Sequence, residues 1–530
     1  MTFDNIAATI EQLTRKRFFL AVVCIVFVVL KIPALSYPFY WDEAWSYAPA
    51  IKEMYQRGPG LLPSALPPEI SRGHPLLFYF LASGWMKIFG TSLVAEHSFS
   101  LLIATLFLIV VHEAGLRIFN FRVAIMATLG CAGQLIFFVQ STFMLPEVLI
   151  ALFSLLSLYC YSIKSAWGTF ISLTLLLFTK ESGFALGAVL GVFSLAAIIN
   201  RWTRNDQSIR LFIAICAGFG MIACFFVVQK TQRGWILFPE HTGYISLNWL
   251  EFKRKCLDSF DVMFNQQNRA FLYWALGTVM VVYGYAKRNF KLIGLVALFG
   301  FAAIFISDTM GYIPRRVMVP ILLGALALIP LIIMKECDSL KKNWSPFVQT
   351  SSTFIVAYIV FSCINFYTER YMLCTTQLAI LLAMFCIDTL MCQLKANSSL
   401  FIVPVIAIQV ATSFAKSYPP GDTNKGAFDA MTVQKQTVDF LQHQQFQDSS
   451  MVVSSHLFKF LLTNPSCGFV DEHAPQFNKI ATRFIGNENI VVVDKSSVDS
   501  SFHPNELKQN YTILKEFKQG NSRIEIWVRK

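Results

Sequence analysis

Apolar runs long enough to cross a bilayer recur along this chain, and they restrict its fold more than any motif does. A spanning helix needs about 20 mainly apolar residues, and backbone polar groups in lipid are satisfied only within helices or closed barrels. Runs of this kind lie at roughly 18–37, 96–115, 123–140, 145–163, 167–179, 183–200, 210–228, 271–286, 291–307, 317–334, 352–367, 371–391 and 400–415. They predict an α-helical polytopic membrane protein of about 13 transmembrane helices. The run 75–90 is open between a further span and a helix lying along the interface, which Trp85, Lys87 and Gly90 suit. Only 14% of the 530 residues are charged. Soluble domains carry roughly a quarter, so a chain soluble throughout is excluded. The run from Phe18 leads into Pro and bulky aromatics without an A-x-A site, so it is expected to remain as the first transmembrane helix.

The net charge of +12 does not point to nucleic acid, because the basic residues sit in short clusters between apolar runs. Arg15–Arg17, Arg117 with Arg122, Lys164, Arg201 with Arg204 and Arg210, Lys287 with Arg288 and Lys291, Lys335 with Lys341 and Lys342, and Lys395 fall in alternate loops. Such loops face the cytoplasm. An odd number of spans then puts the tail after Ala415 outside. Asp42, Glu43, His74, Glu147, Lys180, Glu181, Asp308, Arg315, Arg316, Glu369 and Arg370 all fall on that outer side. Ionisable groups at membrane depth are costly and suggest function, although each singly has an alternative as a helix end in the headgroup region. Most of the 12 cysteines lie in apolar runs, and there is no C-x-x-C. They read as small hydrophobes. Cys256 and Cys467, in polar segments, are the two placed to meet as a disulfide, although unpaired thiols are the expectation.

Between the first span and the run 75–90 stands Tyr37-Pro-Phe-Tyr-Trp-Asp42-Glu43-Ala-Trp45-Ser-Tyr47. A carboxylate pair beside an apolar helix and wrapped in aromatics is poorly solvated, which suits a general base or a metal ligand. Asp42 also reads as the N-cap of a helix from Glu43 to Gln56. Lys180 and Glu181 have their own alternative, pairing with each other or snorkelling. The outer loop 229–270, with Trp235, Phe238, Trp249 and Phe252 among basic residues, covers a site or lies on headgroups. Residues 416–530 are polar, with strand-like Met451-Val-Val, Ile490-Val-Val-Val493 and Ile524–Val528, and a hairpin turn is expected at Gly520-Asn521. They predict a small C-terminal α/β soluble domain in which His456, His473 and His503 are unclustered and nothing catalytic stands out.

The Trp-Asp42-Glu43 element resembles the acidic signature of the GT-C glycosyltransferases that use polyprenyl-phosphate sugars, which include protein O-mannosyltransferases and the lipid A aminoarabinose transferase. Arg72-Gly-His74-Pro75-Leu-Leu-Phe-Tyr79 with Lys87-Ile-Phe-Gly90 is similar to that family's His-Pro-Pro-Leu-Tyr-Tyr stretch and Phe-Gly turn. Met144-Leu-Pro-Glu147, Phe178-Thr-Lys180-Glu181, Ile313-Pro-Arg315-Arg316 and Glu369-Arg370-Tyr371 follow in the family's order. Leu after His74-Pro75, Ala44-Trp45 after the acidic pair, and Glu at 147 depart from the pattern and bear on the substrate rather than the reaction class.

The resemblance implies a membrane glycosyltransferase domain over 1–415, with outer loops 38–95 and 229–270, and an extracytoplasmic domain over 416–530. It implies inverting transfer of a hexose or pentose from an undecaprenyl- or dolichyl-phosphate donor to a lipid, glycan or protein acceptor. Asp42 is then the base. Glu43 and Glu147 orient the acceptor or hold a divalent cation, Mg or Mn, for which Asp42 with Glu43 is the other pair. Lys180, His74, Arg315, Arg316 and Arg370 face the lipid phosphate. The implied location is a bacterial inner membrane, with membrane lipids as partners and no nucleic acid. A transporter or flippase is the alternative, but it calls for internal repeats and midplane charges, and no repeat is evident. A non-enzymatic scaffold leaves Asp42, Glu147 and Lys180 unexplained.

Overall fold

A computed structural model describes residues 3–200, 206–297, 324, 328–335, 341–471, 475–495 and 504–530. Asp308, Arg315, Arg316, His473 and His503, with most of the expected spans 291–307 and 317–334, lie outside them. The fold is a mostly helical polytopic membrane unit followed by a small mixed β-sheet. Among the described residues, seven helical stretches are long and apolar enough to cross a membrane: Arg17–Ser36, Leu93–Phe119, Glu181–Ile199, Asp206–Arg233, Ser345–Ile364, Glu369–Gln393 and Ser398–Ala415. Phe121–Ala132, Glu147–Ser162, Ala166–Thr179 and Ala270–Ala286 are shorter apolar helices between them.

The expected span 123–140 differs. It is two helices, Phe121–Ala132 and Leu135–Gln140, broken at Gly133-Gln134. A Cβ on Gly133 would stand 2.5 Å from Val410 Cγ2 of the helix Ser398–Ala415, so the close approach requires glycine. A broken helix at membrane depth is tolerated where its freed backbone groups find partners. Here Ile136 N donates to Gln267 Oε1 at 3.0 Å. The ambiguous run 75–90 is a helix of 13 residues, Leu77–Phe89. At 1.5 Å per residue it covers about 20 Å, short of the ~30 Å hydrocarbon core. It ends at Gly90, whose φ is +91°.

At the centre stands the stretch Glu369–Gln393, apolar on every side and buried along its whole spanning window. A helix apolar all round belongs inside a bundle. It packs against Phe121–Ala132, Ala270–Ala286, Glu147–Ser162 and Lys341–Ile364. Its first turn, Glu369–Met372, is a 3₁₀ turn that brings Arg370 to the buried end of the bundle.

In the tail, β1 (Met451–Val453), β2 (Ile480–Ala481), β3 (Ile490–Asp494), β4 (Tyr511–Gln519) and β5 (Ser522–Arg529) form one sheet in the order β2-β1-β3-β5-β4. β1 runs parallel to β2 and β3, and β5 is antiparallel to β3 and β4. The β4–β5 hairpin turns at Gly520-Asn521, with Gly520 at φ +54°. The helix Gly426–His443 covers β4 and β5. The tail rests on the loop 38–95: Phe39 N donates to Cys467 O at 3.0 Å, and Lys52 Nζ donates to Ser466 O at 2.7 Å. Cys256 and Cys467 are both buried free thiols. Cys467 lies against Ala44 O instead, at 3.6 Å.

Candidate active site

A guanidinium at the start of a helix opposes the positive end of the helix dipole, so Arg370 needs counter-ions to be stable where it is. The structure supplies three. Its Nη2 pairs with Asp42 Oδ2, its Nε with Glu147 Oε1 at 3.3 Å and its Nη1 with Asp422 Oδ2 at 2.5 Å. Lys180 Nζ reaches the same Glu147 oxygen at 3.3 Å and lies 4.0 Å from the centre of the Tyr371 ring. Two cations and three carboxylates thus form one cluster where the helix starts at 147 and 369 meet the helix end at 179. Asp42, Glu147, Lys180 and Arg370 come together here. Glu147 Oε2 is buried without a hydrogen-bond partner, so the cluster keeps one acceptor free.

Asp42 stands on a strained turn. Trp41 adopts φ +48°, and Glu43 N donates to Tyr40 O at 3.0 Å. Non-glycine residues in the left-handed region collect at functional sites. The expected N-cap does not form: the Asp42 side chain makes no capping bond to the helical turn that begins at Glu43. It accepts from Trp45 Nε1 at 3.0 Å instead, as well as from Arg370. Burial raises the Asp42 pKa, but the Arg370 guanidinium, the Trp45 indole and Lys180 together outweigh it and hold the carboxyl below its ordinary value. It is therefore ionised at neutral pH.

Glu43 points the other way. Its carboxylate is fully buried and accepts from Met144 N at 2.7 Å, His97 Nε2 at 3.0 Å and Tyr40 N at 3.1 Å. These bonds tie the loop 38–95 to the helix Leu93–Ala114 and to the Met144-Leu-Pro-Glu147 segment, which is what places Asp42 beside Glu147. The expected metal pair of Asp42 and Glu43 does not fit. The two carboxylates do not share a space, Asp42 is held by Arg370, and no group of three His, Cys, Asp or Glu side chains suited to a metal ion occurs among the described residues.

His74 is not in the cluster. Its Nδ1 lies 2.9 Å from Glu181 Oε2, so Lys180 and Glu181 do not pair with each other: each has another partner. His74 also packs against His241 of the loop 229–270, ring centres 4.7 Å apart and planes tilted by 34°. Burial and the neighbouring His74 push His241 down to about 4, which keeps it neutral. The same loop sets Trp235 against Gly73, where a Cβ would meet Cζ3 at 2.6 Å. Its other side leaves Ile236, Leu247 and Trp249 exposed. One face of the loop covers the His74 turn, and the other offers apolar side chains to its surroundings.

Asp422 is not among the residues the sequence marks, because it lies in the polar tail, where nothing catalytic stands out. The turn that carries it follows the last apolar helix after only a few residues, in Pro419-Pro-Gly-Asp422-Thr-Asn, and a lone acid beside such a helix end was the available signal. His97, the partner of Glu43, gave no signal either, since it stands inside an apolar run.

Neither a protein-family model nor a curated protein sequence matches the chain. Solved structures do. ArnT from Cupriavidus metallidurans, bound to undecaprenyl phosphate, is 10% identical over 96% of this chain and 97% of its own, with a TM-score of 0.49. The oligosaccharyltransferase AglB from Archaeoglobus fulgidus, in complex with an inhibitory peptide and a dolichol-phosphate, is 10% identical over 90% of this chain and 69% of its own, at 0.46. The S. cerevisiae protein O-mannosyltransferase complex bound to its sugar donor is 17% identical over 45% of this chain and 36% of its own, at 0.33.

Proposed function

We propose that the chain is an integral membrane glycosyltransferase that moves a sugar from a polyprenyl-phosphate donor to an acceptor hydroxyl at the outer end of the helix bundle. The observation that carries this reading is an ionised carboxylate, Asp42, set beside two buried cations at one end of the bundle. In one inverting step the acceptor oxygen attacks the anomeric carbon, its proton passes to Asp42, and the bond from the anomeric carbon to the phosphate oxygen breaks. The leaving lipid phosphate carries the negative charge away, and fixed cations in a dry site stabilise that charge most. Lys180 and Arg370 are the described cations placed for it. The free oxygen of Glu147 accepts a sugar or acceptor hydroxyl. Incoming phosphate competes with Asp42 for Arg370, so donor binding strengthens Asp42 as a base.

A transporter reading draws on the same buried charges, but charged sites in transporters sit near the midplane in discontinuous helices. Here the cluster gathers helix ends. Membranes containing the protein, incubated with radiolabelled polyprenyl-phosphate hexoses and pentoses, are expected to move label from one of these lipids to an acceptor. Label that crosses the membrane while still attached to its lipid would establish the transporter instead. The proposed sidedness has its own test in a cysteine-free background of right-side-out vesicles. An impermeant thiol reagent should modify Leu62→Cys, in the exposed first loop, and spare Arg117→Cys. The reverse pattern would put the cluster on the cytoplasmic side.

A further inference from the structure

We propose that Asp422, delivered by the turn leading into the extramembrane tail, is a positioning residue that locks Arg370 so that its Nη2 faces Asp42. The proposal rests on the glycosyltransferase reading above and adds to it a role for the tail. A guanidinium has five N–H donors in a rigid planar fork, so fixing two edges of the plane fixes the third. Glu147 holds Nε and Asp422 holds Nη1. Without Asp422, Arg370 keeps only the long Nε contact on that side, and the plane is free to turn about it.

The turn that carries Asp422 is built to hold still. Asp422 O accepts from Gln140 Nε2 at 2.6 Å, and Thr423 O accepts from Gln267 Nε2 at 2.7 Å. Thr423 Oγ1 donates to Glu369 Oε2 at 3.1 Å, beside Arg370 itself. Lys425 Nζ donates to Phe414 O at 2.6 Å. The turn also closes on itself so tightly that a Cβ on Gly426 would stand 2.2 Å from Pro419 O. Four separate membrane elements thus grip three residues of the tail's leading segment, Asp422, Thr423 and Lys425. A counter-ion needed only to neutralise Arg370 would not require its backbone to be held in this way. The gripping fixes the carboxylate in space, and through it the guanidinium. The tail then takes part in the membrane site, because the turn it grows from sets the angle at which Arg370 meets Asp42 and the donor phosphate.

Geometry held to within about 1 Å is worth up to roughly 100-fold in rate, so Asp422→Ala is expected to lower kcat about 10- to 100-fold. KM for the donor should change less, because Lys180 and the charge of Arg370 remain. Asp422→Asn, which keeps an acceptor for Nη1, should recover part of that loss. The deciding measurement is a double-mutant cycle with Arg370→Lys, which retains the charge and has no fork. If Asp422 acts through the orientation of Arg370, adding Asp422→Ala to Arg370→Lys costs little further activity. Losses that multiply in the double variant, with thermal stability in detergent falling in parallel, would make Asp422 an independent structural residue and overturn the proposal. A wild-type protein that transfers sugar from none of the donor lipids would overturn the functional reading, and this proposal with it.

Discussion

Asp42→Asn should reduce sugar transfer by roughly 100- to 10,000-fold, the range typical of a lost general base, while leaving expression and membrane insertion unchanged. The substitution is nearly isosteric. The amide oxygen can still accept from one of the two donors, Arg370 or Trp45 Nε1, and the bonds of the neighbouring Glu43 to Met144 N and His97 keep the turn anchored. What it cannot do is take a proton. The pH profile carries a second signature. Because the Asp42 carboxyl is held below its ordinary value, it stays deprotonated as pH falls, and activity should be lost only below the usual Asp range near ~3.9. Replacing Arg370 with a neutral residue removes the main stabiliser of the ionised form, so the acid limb of any residual activity should move up. Near-normal transfer by Asp42→Asn would remove Asp42 as the base. An acid limb indifferent to Arg370 would remove the coupling between them.

The membrane architecture was legible because hydropathy over about 20 residues is a strong local signal. The tail's strands were legible because Ile490–Val493 and Ile524–Val528 are β-branched runs bounded by polar sequence. Adjacency was harder to read. Asp42 and Glu43 are chemically alike and next to each other, yet one faces Arg370 and the other faces His97 and Met144 N. The left-handed Trp41 and the turn after it decide which way each side chain points, and a Trp gives no hint of φ +48°. The break at Gly133 was hidden for a similar reason. Its cause is a long-range approach to Val410 and a partner at Gln267, neither of which leaves a mark on hydropathy. Asp422 was missed because tertiary docking, not sequence proximity, brings the tail's first turn onto the N-terminus of the central helix.

Arg370→Ala is expected to be the most damaging single change in the membrane part, lowering stability as well as activity. Asp42, Glu147 and Asp422 would then share a buried space with Lys180 as their one nearby cation among the described residues. Removing one partner of a buried ion pair leaves an uncompensated charge and costs about 3–5 kcal/mol, a large part of the stability of a typical fold. The expected outcome is a strongly lowered unfolding temperature in detergent, or little folded protein at all. Its pH dependence identifies the cause. Crowded, desolvated carboxylates have raised pKa values, and burial already raises that of Asp422 even with Arg370 present. Such groups bind more protons folded than unfolded in mildly acid solution, so the variant should gain stability as pH falls from 8 towards 5. The wild type should gain less, because Arg370 there holds Asp42 below its ordinary value and offsets part of the rise at Asp422. Arg370→Lys should fall between the two, since it restores a charge but cannot reach three acceptors at once. If Arg370→Ala unfolds at the wild-type temperature at every pH, the three carboxylates do not depend on Arg370. The cluster would then be a set of surface contacts rather than the buried centre on which the helix ends converge.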